Sequence, residues 1–148
     1  MIADITPLHD IDWESAGARY YHVPFTLDNT WGRVRLPLCV ACASQPGPTI
    51  LAIGGTHGDE YEGPVGLKNL IQELDPQQLV AGRLMVVPVL NVPAFRGARR
   101  DSPLDGLNMN RVFPGDANGS LTQRLAHFVT TELFPRADVV IDLHSGGA

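Results

Sequence analysis

Basic residues are outnumbered, cysteine is nearly absent, and no apolar run approaches the roughly 20 residues that a membrane-spanning helix requires. Eleven Lys and Arg stand against sixteen Asp and Glu, for a net charge of −5, which argues against a general nucleic-acid binder. The opening Met1-Ile2-Ala3-Asp4 has neither a basic segment nor an apolar one, so no secretory leader is visible. A cytoplasmic protein without a membrane partner is expected. No internal repeat and no low-complexity tract occurs. Apolar residues make up 44% of the chain and charged ones 18%, a balance that suits a packed core and excludes disorder.

The two cysteines, Cys39 and Cys42, are spaced Cys-x-x-Cys. A redox pair of that spacing would open a helix after a strand, and a zinc ribbon would need a second pair. Here the pair sits inside an apparent strand, Val34 to Cys42. Residues three apart on a strand point to opposite faces, so two ordinary buried cysteines are expected.

What the chain does contain is alternation. Arg19–Leu27 and Trp31–Cys42 read as strands, with Asp28-Asn29 as a turn between them. Gln45-Pro-Gly-Pro48 is a break, so residues 1–45 are read as an N-terminal β segment and 46–148 as a separate region. Thr49–Gly55 is strand-like. A helix follows from about Gly63 to Leu74, with Leu67, Leu70, Ile71 and Leu74 at helical spacing and Pro64 in its first turn. Arg83–Leu90 reads as a buried strand, and 91–119 as a long irregular loop of the kind that usually carries function. Ser120-x-x-Gln123 has the pattern of a capping box and opens a helix with Leu121, Leu125, Phe128, Val129 and Leu133 on its apolar face. Pro135 stops it, and Asp138–His144 is a further buried strand. The fold class is therefore α/β, a mixed and largely parallel sheet flanked by helices.

Chemistry concentrates at strand ends, where ligands sit in such sheets. Gly54-Gly-Thr-His57-Gly-Asp-Glu60 follows one strand, and Asp142-Leu-His144-Ser-Gly-Gly147 closes another. His57 and Glu60 alone are a weak pair, since five histidines and sixteen acids give such spacing by chance. With the strands parallel, His144 joins them at the same edge. Two histidines and a glutamate are the ligand set of several zinc enzymes, with one position left open. Asp142 shares a strand face with His144; it is either an acceptor that fixes a ligand's tautomer or a solvated carboxylate. In Arg100-Asp-Ser-Pro-Leu-Asp-Gly-Leu-Asn-Met-Asn110-Arg111-Val-Phe-Pro-Gly115, Asn110 and Arg111 can grip a carboxylate, and a separate arginine can face an oxyanion. Arg96 and Arg99 are read equally well as surface charges.

These three blocks, in this order, resemble the succinylglutamate desuccinylase/aspartoacylase family of the zinc carboxypeptidase superfamily. His57-Gly-Asp-Glu-Tyr-Glu-Gly-Pro64 and Ser102-Pro-x-Asp-Gly-x-Asn-x-Asn-Arg111 further resemble its bacterial branch of ectoine-pathway deacetylases. The resemblance implies one Zn2+ held by His57, Glu60 and His144. It also implies a carboxylate grip by Asn110 and Arg111, Arg100 facing the scissile carbonyl, and a small N-acyl amino acid as substrate. The expected activity is hydrolysis of that substrate's amide bond. The family's catalytic glutamate lies well downstream of the third ligand, and this chain ends four residues after His144. The expectation is an N-terminal portion of a longer enzyme, inactive as it stands and prone to form a homo-oligomer through an uncovered sheet edge. A peptide carboxypeptidase, or a metal-binding module without turnover, are the competing readings.

Overall fold

The computed structural model describes residues 7–27 and 32–146. The expected Asp28-Asn29 turn and the Trp31 strand start lie outside the described residues. Five strands form one sheet: β1 (Gly17–Thr26), β2 (Arg33–Cys42), β3 (Thr49–Gly54), β4 (Arg83–Val87) and β5 (Val139–Leu143), in the order β1-β2-β4-β3-β5. β3 pairs in parallel with both β4 and β5, whereas β2 pairs antiparallel with β1 and β4. Four of the five strands thus run the same way, and β2 alone is reversed. The first two strands belong to the same sheet as the rest. Among the described residues, no helix is long and apolar enough to cross a membrane.

Helices cover both faces of the sheet. α1 (Glu62–Glu73) packs Leu67 against Cys39, Ala52 and Val86. The opposite face, with Leu36, Leu38, Leu51 and Met85, meets α3 (Leu121–Phe128), whose Leu121, Leu125 and Phe128 are buried with Val129 and Leu133 beyond it. The alternation of β2 carries this directly: Cys39 faces the α1 side and Cys42 the α3 side. Both are buried free thiols.

Four differences from the sequence reading have physical causes. Leu70 of α1 is 40% exposed, because it lies at the rim of the stripe whose centre is shared by Leu67, Ile71 and Leu74. β4 ends at Val87, since Pro88 has no N–H to continue the ladder; Leu90 and Asn91 instead donate to the carbonyls of Gly54 and Gly55 at 2.8 and 2.9 Å. Residues 91–119 also hold structure. α2 (Val92–Arg96) starts at Asn91, whose side chain accepts from Ala94 N–H, and a 3-10 turn spans Met109–Arg111. β5, expected to be buried, is not: Val139, Val140 and Ile141 are 49, 44 and 46% exposed. Its only ladder partner among the described strands is β3, so one edge stands open.

Beyond α3 the helix widens into a π turn (Val129–Leu133), then a 3-10 turn (Phe134–Arg136) containing Pro135. At its start, Gln123 Oε1 accepts the Ser120 N–H at 3.0 Å, one half of the expected box. Asp105, 17 residues earlier, takes the Thr122 N–H at 3.0 Å and the Thr122 hydroxyl at 2.9 Å. A loop carboxylate therefore anchors the helix to the segment that leads into the site.

Candidate metal centre

Register brings the site together. β3 and β5 lie side by side with Ile53 opposite Asp142 and Gly54 opposite Leu143, so the residues that follow each strand emerge next to one another. β3 passes into a turn through Gly55, whose φ of +62° suits glycine alone without strain. Gly58 is pressed against the Ala94 backbone of α2 so closely that a Cβ has no room, and its N–H donates to Arg99 O at 3.0 Å. The turn is thereby clamped, with His57 2% and Glu60 3% exposed.

The Glu60 carboxylate lies between two imidazoles. His57 Nδ1 is 2.9 Å from Oε1 and His144 Nδ1 is 2.8 Å from Oε2. One ligand atom from each of the three residues lies within 4.8 Å of the others. The remote nitrogens are also engaged: His57 Nε2 meets Asn108 Oδ1 at 3.2 Å, and His144 Nε2 meets Asp142 Oδ2 at 2.8 Å. Asn108 Oδ1 also accepts the Asn110 N–H at 3.0 Å, which fixes that atom as the amide oxygen. Both Nε2 atoms therefore face acceptors and must carry protons. In neutral imidazole each Nδ1 then presents a lone pair to the Glu60 carboxylate. Acceptor facing acceptor is satisfied by a cation among them, so the donor set fits a divalent metal.

The surrounding groups shift both kinds of ligand. Burial pushes the Glu60 carboxyl up, but the Ser145 N–H at 3.1 Å and the two histidines outweigh it and hold the group below its ordinary range. Burial pulls His144 down, and the Asp142 hydrogen bond and charge, followed by Glu60, raise it above its ordinary value. Glu60 is thus an anion at neutral pH. Ser145 also donates its hydroxyl to Glu62, in the first turn of α1.

The other residues singled out in the sequence lie around this centre. Arg100 Nη1 donates to Glu60 Oε1 at 3.1 Å, with its side chain half exposed. Arg96 and Arg99 are exposed. Asn110 Nδ2 is 3.5 Å from His144 Nε2. Arg111 is exposed and bonds the Asn110 carbonyl at 3.2 Å. A cavity of about 440 Å³ adjoins the centre, lined by Asn110, Asp142 and Thr56 on its polar side and by Phe113, Phe134 and Val140 on its apolar side. Thr56 donates to Asp142 Oδ1 at 3.0 Å, so that carboxylate holds both a turn hydroxyl and a histidine. The sequence reading assigned nothing to Asn108. The only signal was its place in Asn108-Met-Asn110-Arg111, two residues before the pair read as gripping a carboxylate.

A clamped turn and a parallel strand end thus share one carboxylate, a His-Glu-His group that could hold a metal ion at the strand ends of an α/β domain. Residues 46–148 match the succinylglutamate desuccinylase/aspartoacylase catalytic domain. The chain is 44% identical over 140 residues to the N-alpha-acetyl-L-2,4-diaminobutyric acid deacetylase of Halomonas elongata, covering 93% of this chain and 40% of that protein. The crystal structure of a succinylglutamate desuccinylase/aspartoacylase from Rhodobacter sphaeroides matches with a TM-score of 0.89 at 39% identity, over 98% of this chain and 44% of that one. The product-bound ectoine utilization protein EutE (DoeB) of Ruegeria pomeroyi matches with a TM-score of 0.84 at 41% identity, over 96% and 43%. This chain belongs to the succinylglutamate desuccinylase/aspartoacylase family. It spans about two-fifths of the length of the relatives it matches.

Proposed function

We propose that this chain carries the metal-binding part of a zinc-dependent hydrolase that cleaves the amide bond of a small N-acylated amino acid. The observation that carries the reading is the convergence of two Nδ1 lone pairs and one carboxylate from residues 84 positions apart, with both outer nitrogens already satisfied by acceptors.

His57, Glu60 and His144 would hold the ion, and Asn108 and Asp142 keep the two imidazoles in the tautomer that exposes Nδ1. When bound, zinc supplies electrophilic activation of a carbonyl and of water. Arg100, beside Glu60, is placed to hold negative charge developing on the amide oxygen, where a fixed guanidinium is worth more than solvent. Asn110 and Arg111 hold the carboxylate of the substrate, Arg111 through its two parallel N–H donors. Asn110 also lines the adjoining cavity, which supports the same residue orienting the ligand against the centre. The family resemblance assigns proton transfer to a glutamate further along than His144.

Elemental mass spectrometry on the purified chain tests the ligand set. About one zinc per chain is expected, lost in both His57→Ala and His144→Ala. A folded chain whose zinc survives either substitution would remove that residue from the set. For an active form of the enzyme, N-acetyl amino acids assayed beside peptides with free C-termini separate the deacylase from a peptidase: faster cleavage of the peptides would replace this substrate class.

A further inference from the structure

The turn that carries His57 and the turn that carries Asn110 and Arg111 meet at one atom. Asn108 Oδ1 accepts the His57 Nε2–H at 3.2 Å and the backbone N–H of Asn110 at 3.0 Å. Asn108 also stands at the N-cap of the 3-10 turn Met109–Arg111, and Met109 in that turn is fully buried. The turn is therefore seated in the core at one point, with its polar residues on either side of that anchor. A shift of the Asn110 backbone displaces the oxygen that orients His57.

From this geometry we infer that Asn108 is a positioning residue that couples metal affinity to carboxylate affinity. The inference rests on the metal reading above. Seating a carboxylate on Asn110 and Arg111 fixes their turn, which holds Oδ1 against the His57 ring and keeps Nδ1 aimed at the ion. Coupling of binding free energies is reciprocal, so the ion tightens the carboxylate by the same factor. The residue type matters. The amide oxygen is neutral at every pH, so it sets the His57 tautomer without adding a second negative charge to that side, whereas His144 has the charged Asp142. An aspartate at 108 could make both hydrogen bonds and would increase the basicity of His57. An alanine makes neither.

The test is zinc affinity, measured by competition with a chromophoric chelator for the wild-type chain, Asn108→Asp and Asn108→Ala, each alone and with N-acetylglycine. Asn108→Ala is expected to bind zinc about 10- to 100-fold more weakly. Asn108→Asp is expected to bind at least as tightly as wild type. N-acetylglycine is expected to tighten zinc in wild type and in Asn108→Asp and to leave Asn108→Ala unchanged.

Wild-type affinity in Asn108→Ala overturns the positioning role. Weakening in Asn108→Asp also overturns it, because that variant retains both acceptor bonds, and this arm decides the matter even where Asn108→Ala fails to fold. An N-acetylglycine effect that is absent from wild type, or that survives in Asn108→Ala, overturns the coupling. A wild-type chain that takes up no zinc defeats the metal reading itself, and the coupling falls with it.

Discussion

At the residue scale, environment decides what each side chain can do. Cys39 and Cys42 share the spacing of a reactive pair, yet burial pushes the Cys39 thiol up to about 11 and raises Cys42 as well. The thiolate is the reactive form, so both should resist a thiol-specific reagent at neutral pH and react fully in denaturant. Rapid labelling of the native chain would contradict that. Arg111 is the opposite case, exposed and next to Asn110. In an active form of the enzyme, Arg111→Ala should raise KM for carboxylate-bearing substrates by about 10- to 100-fold, the loss of a charge-assisted pair worth about 1.5–3 kcal/mol. An unchanged KM would remove it from carboxylate binding. His57, Glu60 and His144 were legible because each sits in a block placed directly after a strand, where side chains must converge. Asn108 was not, because its role exists only in a contact 51 residues away in sequence.

At the scale of elements, the clearest periodic patterns were legible and the short pieces were not. β2, β3 and α3 follow from alternation, a valine-rich or isoleucine-rich run, and an apolar stripe. α2 is five residues long, too short for any period, and only Asn91 ahead of Pro93 marked its start. The capping of α3 also proved to be shared, since Asp105 reaches it from the preceding loop. Burial pushes the Asp105 carboxyl up, but the Thr122 amide and the neighbouring hydroxyls and Leu107 N–H overcome this and hold it below its ordinary value. A carboxyl depressed in the folded state stabilises the fold above its unfolded pKa, about 3.9. That contribution is lost as pH falls through the lower folded value. Asp105→Asn should therefore lower stability by about 0.5–2 kcal/mol at pH 7 and flatten the loss of thermal stability on acidification below pH 4. A variant with an unaltered acid limb would show that Asp105 does not anchor α3.

At the scale of the whole molecule, the sheet is unevenly finished. β2, β4 and β3 are covered on both faces, while Val139, Val140 and Ile141 of β5 are close to half exposed beside an open edge. An apolar strand with unpaired N–H and C=O groups templates further pairing. The chain should self-associate with rising concentration in sedimentation velocity, and Ile141→Lys should reduce that association without disturbing the centre. A wild-type chain that stays monomeric at all concentrations would show the edge to be inert. This exposure was hidden from the sequence because an apolar run reads alike whether its neighbours are present or not.

The same strand has further attachments. β5 is held by its ladder to β3, by the Thr56–Asp142 hydrogen bond, and beyond its end by His144 and Ser145, which reach Glu60 across more than 80 residues of chain. An ion bound there would be a crosslink. In the chain-entropy picture, tying off a loop of this length removes on the order of 4 kcal/mol of freedom from the unfolded ensemble. Chelation would cut that staple at the least-covered seam of the sheet, so the amides of β5 should be the first to lose protection from hydrogen exchange.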